Sequence, residues 1–183
     1  DVCSSDLMTS LRSTRRLKRA ANSVAVCSEI VTLLGCDGKI KVVMQNPSAP
    51  VVETRQGVLS GLTDENVHVW CGIPYAAPPV GEWRWRSPRP PERWDGLREA
   101  TAFSPSSWQS SEYCQELGGG DPGQFSEDCL YLNVWSPTER AEPLPVMVWL
   151  HGGGFTIGAG GLPPYNGKAL ATRGVVVVTI NYR

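Results

Sequence analysis

The run Val146-Met-Val-Trp-Leu150, followed at once by His151-Gly-Gly-Gly154, constrains this chain more than any other stretch. Five apolar residues in a row are too few for a typical helix and suit a buried strand. Three consecutive glycines then remove every Cβ, so the backbone can turn sharply and aim several N–H groups at one spot. Downstream, Asn166 is a good N-cap type for a helix running to Arg173, and Gly174 stops it. Val175-Val-Val-Val-Thr-Ile-Asn-Tyr182 is rich in β-branched residues, as a strand buried on both faces would be. Strand, helix and strand in that order predict a parallel crossover unit, and with it an α/β fold. Clustered N–H groups at a strand exit suit an anion that forms and vanishes. A phosphate loop would also need Gly-Lys-Ser/Thr, which does not follow here, and a glycine-rich strand exit without chemistry is the plainer alternative.

Upstream, Val51–Thr54 and Val58–Leu62 flank Arg55-Gln-Gly57 and predict a hairpin. Val67–Ile73 alternates as a strand, with His68 on the polar, solvated phase. Pro74 to Pro91 is dense in proline and predicts an extended, irregular segment. Within it, Trp83-Arg-Trp-Arg86 places two rings on one side and two guanidinium groups on the other if extended, which suits packing and one ion pair. Residues 104–126 read as a loop, Leu130–Trp135 as a strand and Pro137–Pro145 as a turn. The last strand, running towards Arg183, is expected at an open sheet edge. Seven tryptophans are many for 183 residues, and most are expected to fill cores.

Composition removes several classes. With 41% hydrophobic and 19% charged residues and a formal net charge of -1, the chain is globular in character and offers no basic field for nucleic acid. No apolar run approaches the ~18–20 residues of a membrane-spanning helix. The six cysteines show no Cys-x-x-Cys spacing, and no metal or cofactor is implied. Residues 1–50 differ from the rest. Asp1–Leu7 resembles one reading frame of a common sequencing-adapter oligonucleotide and is read as carrying no biology. Residues 8–50 form a leader, either disordered or weakly signal-like. In it a basic stretch at Arg12–Arg19 precedes an apolar one at Val24–Leu34, the outline of an export signal, but Glu29 interrupts it. Secretion and a cytoplasmic location both stay open.

From Val51 onward, four blocks together resemble the type-B carboxylesterase and cholinesterase family of α/β-hydrolases. They are Gly72-Ile-Pro-Tyr-Ala76 with Pro78-Pro-Val-Gly81, the nine-residue block Glu127-Asp-Cys-Leu-Tyr-Leu-Asn-Val-Trp135, His151-Gly-Gly-Gly-Phe155, and Tyr165-Asn-Gly-Lys168 with Asn181-Tyr-Arg183. The resemblance implies the N-terminal part of an α/β-hydrolase fold, in which small antiparallel strands lead into a central, mostly parallel sheet. It implies a serine esterase acting on small-molecule carboxylic esters through an acyl-enzyme. By the same resemblance, the N–H groups of Gly153 and Gly154 are oxyanion donors, Phe155 and Thr156 belong to the acyl-pocket wall, and Arg84 pairs with Glu127. The family often bridges the cysteine of the nine-residue block to one at the position of Ser107. Here Cys114 is the nearest partner for Cys129, so a bridge and two reduced, buried thiols are both open.

The catalytic serine of this fold sits in Gly-x-Ser-x-Gly on a strand-to-helix turn, ahead of the acid and the histidine in chain order. That pentapeptide does not occur, Ser60 is one place out of register, and His68 and His151 both precede the expected position. The chain is therefore read as truncated before the nucleophile elbow, carrying an oxyanion loop, no triad member and no activity alone. The rival reading is a non-catalytic, cholinesterase-like adhesion protein; a related HGGG lipase is disfavoured by the nine-residue block. Cholinesterases hold a tryptophan for the choline cation in the loop between the two cysteines. Between Cys114 and Cys129 the one aromatic ring is Phe125, which favours small or aryl esters over choline esters.

Overall fold

The computed structural model describes residues 49–139 and 143–183, together with the backbone of two strands further upstream. Those strands, β1 (Ile30–Leu34) and β2 (Ile40–Met44), pair antiparallel with Ile30 opposite Met44. They belong to a unit spanning Asp1–Pro47, separate from the unit Ser48–Arg183. The expectations for residues 1–7 and for the basic stretch Arg12–Arg19 lie outside the described residues.

The second unit opens with the expected hairpin. β3 (Val51–Glu53) and β4 (Val58–Ser60) pair antiparallel. Thr54 Oγ1 donates to the Gly57 carbonyl (2.8 Å) and accepts from the N–H groups of Gln56 and Gly57, and the Thr54 N–H donates to the same carbonyl at 2.9 Å, closing the turn. A third strand, β7 (Leu97–Glu99), joins β4 in parallel. Leu59, Trp70 and Ala100 form the core beneath this small sheet.

The larger sheet has five strands in the order β5 (Leu62–Asp64), β6 (Val67–Pro74), β8 (Tyr131–Pro137), β10 (Val176–Ile180) and β9 (Val146–Leu150). The first three contacts are antiparallel, and β9 with β10 is parallel, Val148 opposite Val178. Antiparallel strands thus lead into the parallel part, as expected. The sheet order corrects one expectation. β10, the last strand in the chain, is paired on both sides, and the outer strand beside it is β9. All five β9 side chains are exposed, Leu150 at 63%. Hydrophobicity alone read them as buried, yet among the described residues no element covers that edge. One core cluster lies where the crossover segment meets the sheet, with Ala171 packed on Val67, Trp135 and Val177.

Three local readings also change. The segment read as a loop contains a helix, α1 (Ser111–Glu116), capped by the Ser110 hydroxyl, which accepts from the Tyr113 N–H at 3.2 Å. The predicted crossover helix is a single turn, α2 (Lys168–Ala171). Its N-cap is Gly167 and not Asn166 as expected, because Asn166 closes the preceding 3-10 turn Pro163–Tyr165; the Asn166 Oδ1 still accepts from the Lys168 N–H at 2.9 Å. Gly167 lies so close to Trp135 and Val177 that a Cβ would come within 2.9 Å of each. Trp83–Arg86 does not alternate as an extended strand would, because Gly81–Trp83 is a 3-10 turn and Trp85 adopts φ +58. Trp83 is covered by the Arg89 guanidinium at 3.1 Å from the ring centroid. Trp70 and Trp135 are buried, but Trp85 and Trp108 are 88% and 70% exposed, so core filling explains only some of the tryptophans.

Candidate active site

β9 ends at Leu150 and delivers the chain into a loop from His151 to Gly158. Its entry is held by His151. The imidazole is buried and stacked on Tyr182 (centroids 4.2 Å, 14° between planes), and the His151 carbonyl accepts from the Tyr182 hydroxyl at 2.7 Å. Burial pushes the His151 pKa below 6.5, while its hydrogen bond with the Gly152 carbonyl pulls the other way. The ring is thus neutral near pH 7. Among the described residues the ring's partners are the Gly152 carbonyl and the Tyr182 face, which make it a structural prop.

The glycines then do what side chains would prevent. Gly153 adopts φ +121 and Gly154 φ +60, and Phe155 follows at φ +62. A Cβ on Gly153 would collide with the Ile157 carbonyl. The Gly153 carbonyl is the hub of the turn: it accepts from the Thr156 N–H (3.0 Å), the Ile157 N–H (3.2 Å) and the Thr156 hydroxyl (2.9 Å). The N–H groups of Gly153 and Gly154, in contrast, donate to nothing among the described residues and are not tied into the sheet. Gly153 is half-buried and Gly154 exposed, so both donors stay within reach of a ligand.

Beyond the loop, a buried polar network fixes the chain against the sheet. Thr179 Oγ1 donates to the Gly160 carbonyl at 2.6 Å and accepts from Asn133 Nδ2 at 3.0 Å. Asn133 Oδ1 accepts from the Gly72 N–H at 3.0 Å. Asn181 Oδ1 accepts from the Gly160 N–H at 2.7 Å, and the Asn181 carbonyl accepts from the Tyr75 hydroxyl at 2.6 Å. Asn133, Gly72, Tyr75 and Asn181 come from three of the four sequence blocks, and the bond from the Tyr182 hydroxyl to the His151 carbonyl joins the glycine block to them.

An open cavity of about 240 Å³ lies beside the loop and collects several of the residues singled out by sequence. Phe155, 94% exposed, lines it with Trp85, Trp108, Arg84, Glu127 and Cys129. Trp108 packs on Phe125 at 5.9 Å. Thr156 lies outside that lining, its hydroxyl turned back onto Gly153. Arg84 and Glu127 form the expected ion pair, but with the side chains 57% and 35% exposed it is a surface pair and not a buried one. Cys114 and Cys129 are free thiols, in different core clusters: Cys129 packs with Ala76 and Leu130, Cys114 with Ala159 and Leu162. That separation is why the bridge does not form.

Sequence reasoning missed the residues that hold the loop from outside: Gln109, Asn133, Thr179 and Tyr182. A polar side chain inside an apolar strand, as in Leu132-Asn-Val134 and Val178-Thr-Ile180, was the available signal for two of them. Gln109 has no local signal at all.

Solved structures with this arrangement are esterases of the α/β-hydrolase fold. A PNB esterase superposes with a TM-score of 0.70 at 47% identity, over 74% of this chain and 28% of that one. A Geobacillus stearothermophilus carboxylesterase gives 0.64 at 51% identity, over 73% and 26%. Residues 48–183 match the carboxylesterase family, and the chain belongs to it. Among curated relatives, the para-nitrobenzyl esterase of Bacillus subtilis is 49% identical over 134 residues, 73% of this chain and 27% of the relative. The fumonisin B1 esterase of Sphingopyxis macrogoltabida is 48% identical over 134 residues, 73% and 24%. The chain thus spans about a quarter of the length of the relatives it matches. Those relatives are hydrolases of carboxylic esters. Among the described residues, no helix is long and apolar enough to cross a membrane.

Proposed function

We propose that this chain is the oxyanion-loop segment of a serine carboxylesterase acting on small or aryl carboxylic esters. The Gly153 and Gly154 N–H groups receive the carbonyl oxygen of the ester as the tetrahedral intermediate forms. Phe155, with Trp108 and Trp85 across the cavity, gives the apolar wall. The serine, its histidine and the orienting acid come from the remainder of the full-length protein, so residues 1–183 alone turn over no ester. The observation that carries this reading is that both N–H groups are free among the described residues while the carbonyl between them is engaged by three donors. Preorganised donors of this kind need no rearrangement when charge develops.

The experiment is ester turnover by the full-length protein and its Gly153→Ala variant. Alanine at position 153 has neither the space nor the φ angle it needs. Turnover falls about 10²–10³-fold with KM little changed, as for loss of an oxyanion donor. Gly152→Ala is the control, because its Cβ would meet nothing within 4 Å and its φ is not in the left-handed region. Equal turnover in wild type and Gly153→Ala refutes the assignment. Absence of turnover in the wild type, with a residue other than serine in the nucleophile position, favours the non-catalytic reading.

A further inference from the structure

We propose that Gln109 is a positioning residue for the oxyanion loop, acting as a clasp on its exit. The proposal rests on the esterase reading for its catalytic consequence, but the clasp itself is a matter of geometry. Gln109 lies 49 positions before Gly158 in sequence, at the foot of α1. Its amide meets the Gly158 peptide on both sides. Nε2 donates to the Gly158 carbonyl at 2.9 Å, and Oε1 accepts from the Gly158 N–H at 2.6 Å. Nε2 also donates to the Ser107 carbonyl at 3.1 Å. A flipped amide would set donor against donor and acceptor against acceptor, so this orientation alone satisfies all three.

The grip bears on the loop because of where Gly158 sits. Gly158 is buried at φ +118, and a Cβ there would strike the His151 Nδ1. The exit of the loop is therefore pressed against its entry. His151 in turn is immobilised by Tyr182. Between these two fixed ends run Gly152 to Ile157, whose internal hydrogen bonds all converge on the Gly153 carbonyl. With entry and exit pinned, the positive φ values at 153, 154 and 155 are the way the chain closes. Release the exit, and those residues can relax towards commoner angles that turn the two N–H groups away. Gln109 touches neither N–H group; it acts through the loop's chord. Its neighbour Trp108 lines the cavity, so the same short segment sets both a wall and the loop.

The test uses the full-length protein with Gln109→Met, which keeps length and removes donor and acceptor, and Gln109→Glu, which keeps shape and acceptor but turns the donor into a repulsive contact with the Gly158 carbonyl. Two readouts are taken. Hydrogen exchange follows the amides of residues 152–158. Steady-state kinetics follow kcat, KM and inhibition by a trifluoromethyl ketone, which mimics the oxyanion. The expected result is faster exchange across 152–158 with other segments unchanged. With it, kcat falls about 10–100-fold, ketone affinity falls in step, and KM stays within about threefold. A merely structural role would lower the melting temperature and the folded fraction while leaving kcat per folded molecule intact; that outcome overturns the proposal. Unchanged exchange at 152–158 in both variants also overturns it. A wild type without ester turnover but with faster loop exchange in the variants would keep the clasp and sink the esterase reading instead.

Discussion

Replacing Thr179 by valine removes one oxygen and almost nothing else, which makes it a clean probe of the polar network under the loop. Thr179 is 1% exposed, so valine fills the same volume and opens no cavity. Two buried groups lose their partner: the Gly160 carbonyl and one N–H of Asn133. Each buried polar group left unsatisfied costs about 1–3 kcal/mol. Because Asn133 keeps its bond to the Gly72 N–H through Oδ1, its amide can re-aim only slightly, and the sum is about 2–6 kcal/mol. With a urea dependence of about 2 kcal/mol per molar, that is a drop in midpoint of about 1–3 M for the transition involving this unit. The assay is urea unfolding of the full-length protein followed by tryptophan fluorescence, since Trp135 sits in the adjacent core. Thr179→Ser, which keeps the hydroxyl and loses a methyl, costs only about 1 kcal/mol. A valine variant within about 0.5 kcal/mol of wild type, or a serine variant worse than valine, would refute the reasoning, since surface-like effects are of that size.

Three further outcomes are expected. Burial holds the His151 imidazole below its ordinary 6.5, so the unfolded chain takes up the proton first as pH falls. The stability this ring contributes is complete above 6.5 and is lost below it, and His151→Gln shows a flatter acid-side stability curve between pH 6.5 and 5. Burial pushes the Cys71 thiol up to about 11, so iodoacetamide at pH 8 leaves Cys71 unmodified in the native protein and alkylates it in urea; non-reducing peptide mapping recovers Cys114 and Cys129 without a link between them. The Arg84–Glu127 pair is half exposed, and a double-mutant cycle returns a coupling below about 1 kcal/mol, not the several expected of a buried pair.

Much of the chain announces itself locally. The β9 apolar run, the glycine turn and the β10 run are each short-range patterns with a physical cause, and all appear where expected. Helix α1 was hidden because its six residues carry no helical periodicity; a serine cap and one buried cysteine hold it, and a glycine-rich stretch follows. Burial of β9 was misjudged because apolar character says that a strand needs cover, not that the cover lies within reach. Trp85 escaped because a left-handed angle at a tryptophan is a tertiary outcome that no neighbouring residue signals. Gln109 was illegible for a similar reason: its partner is 49 residues away, and an isolated glutamine in a loop looks like any solvated one.

The sheet order carries a consequence for biosynthesis. β8 and β9 are sequence neighbours, and the simplest structure for a nascent chain that has just produced both is a hairpin. The finished sheet forbids it, because β10 must later wedge between them. Pro137, Pro143 and Pro145 crowd the connection; Pro145 has no N–H to donate, and its carbonyl is taken by Val176 of the late strand at 2.9 Å. None of these prolines can donate a ladder hydrogen bond, so the connection disfavours the β8–β9 hairpin that the finished sheet excludes.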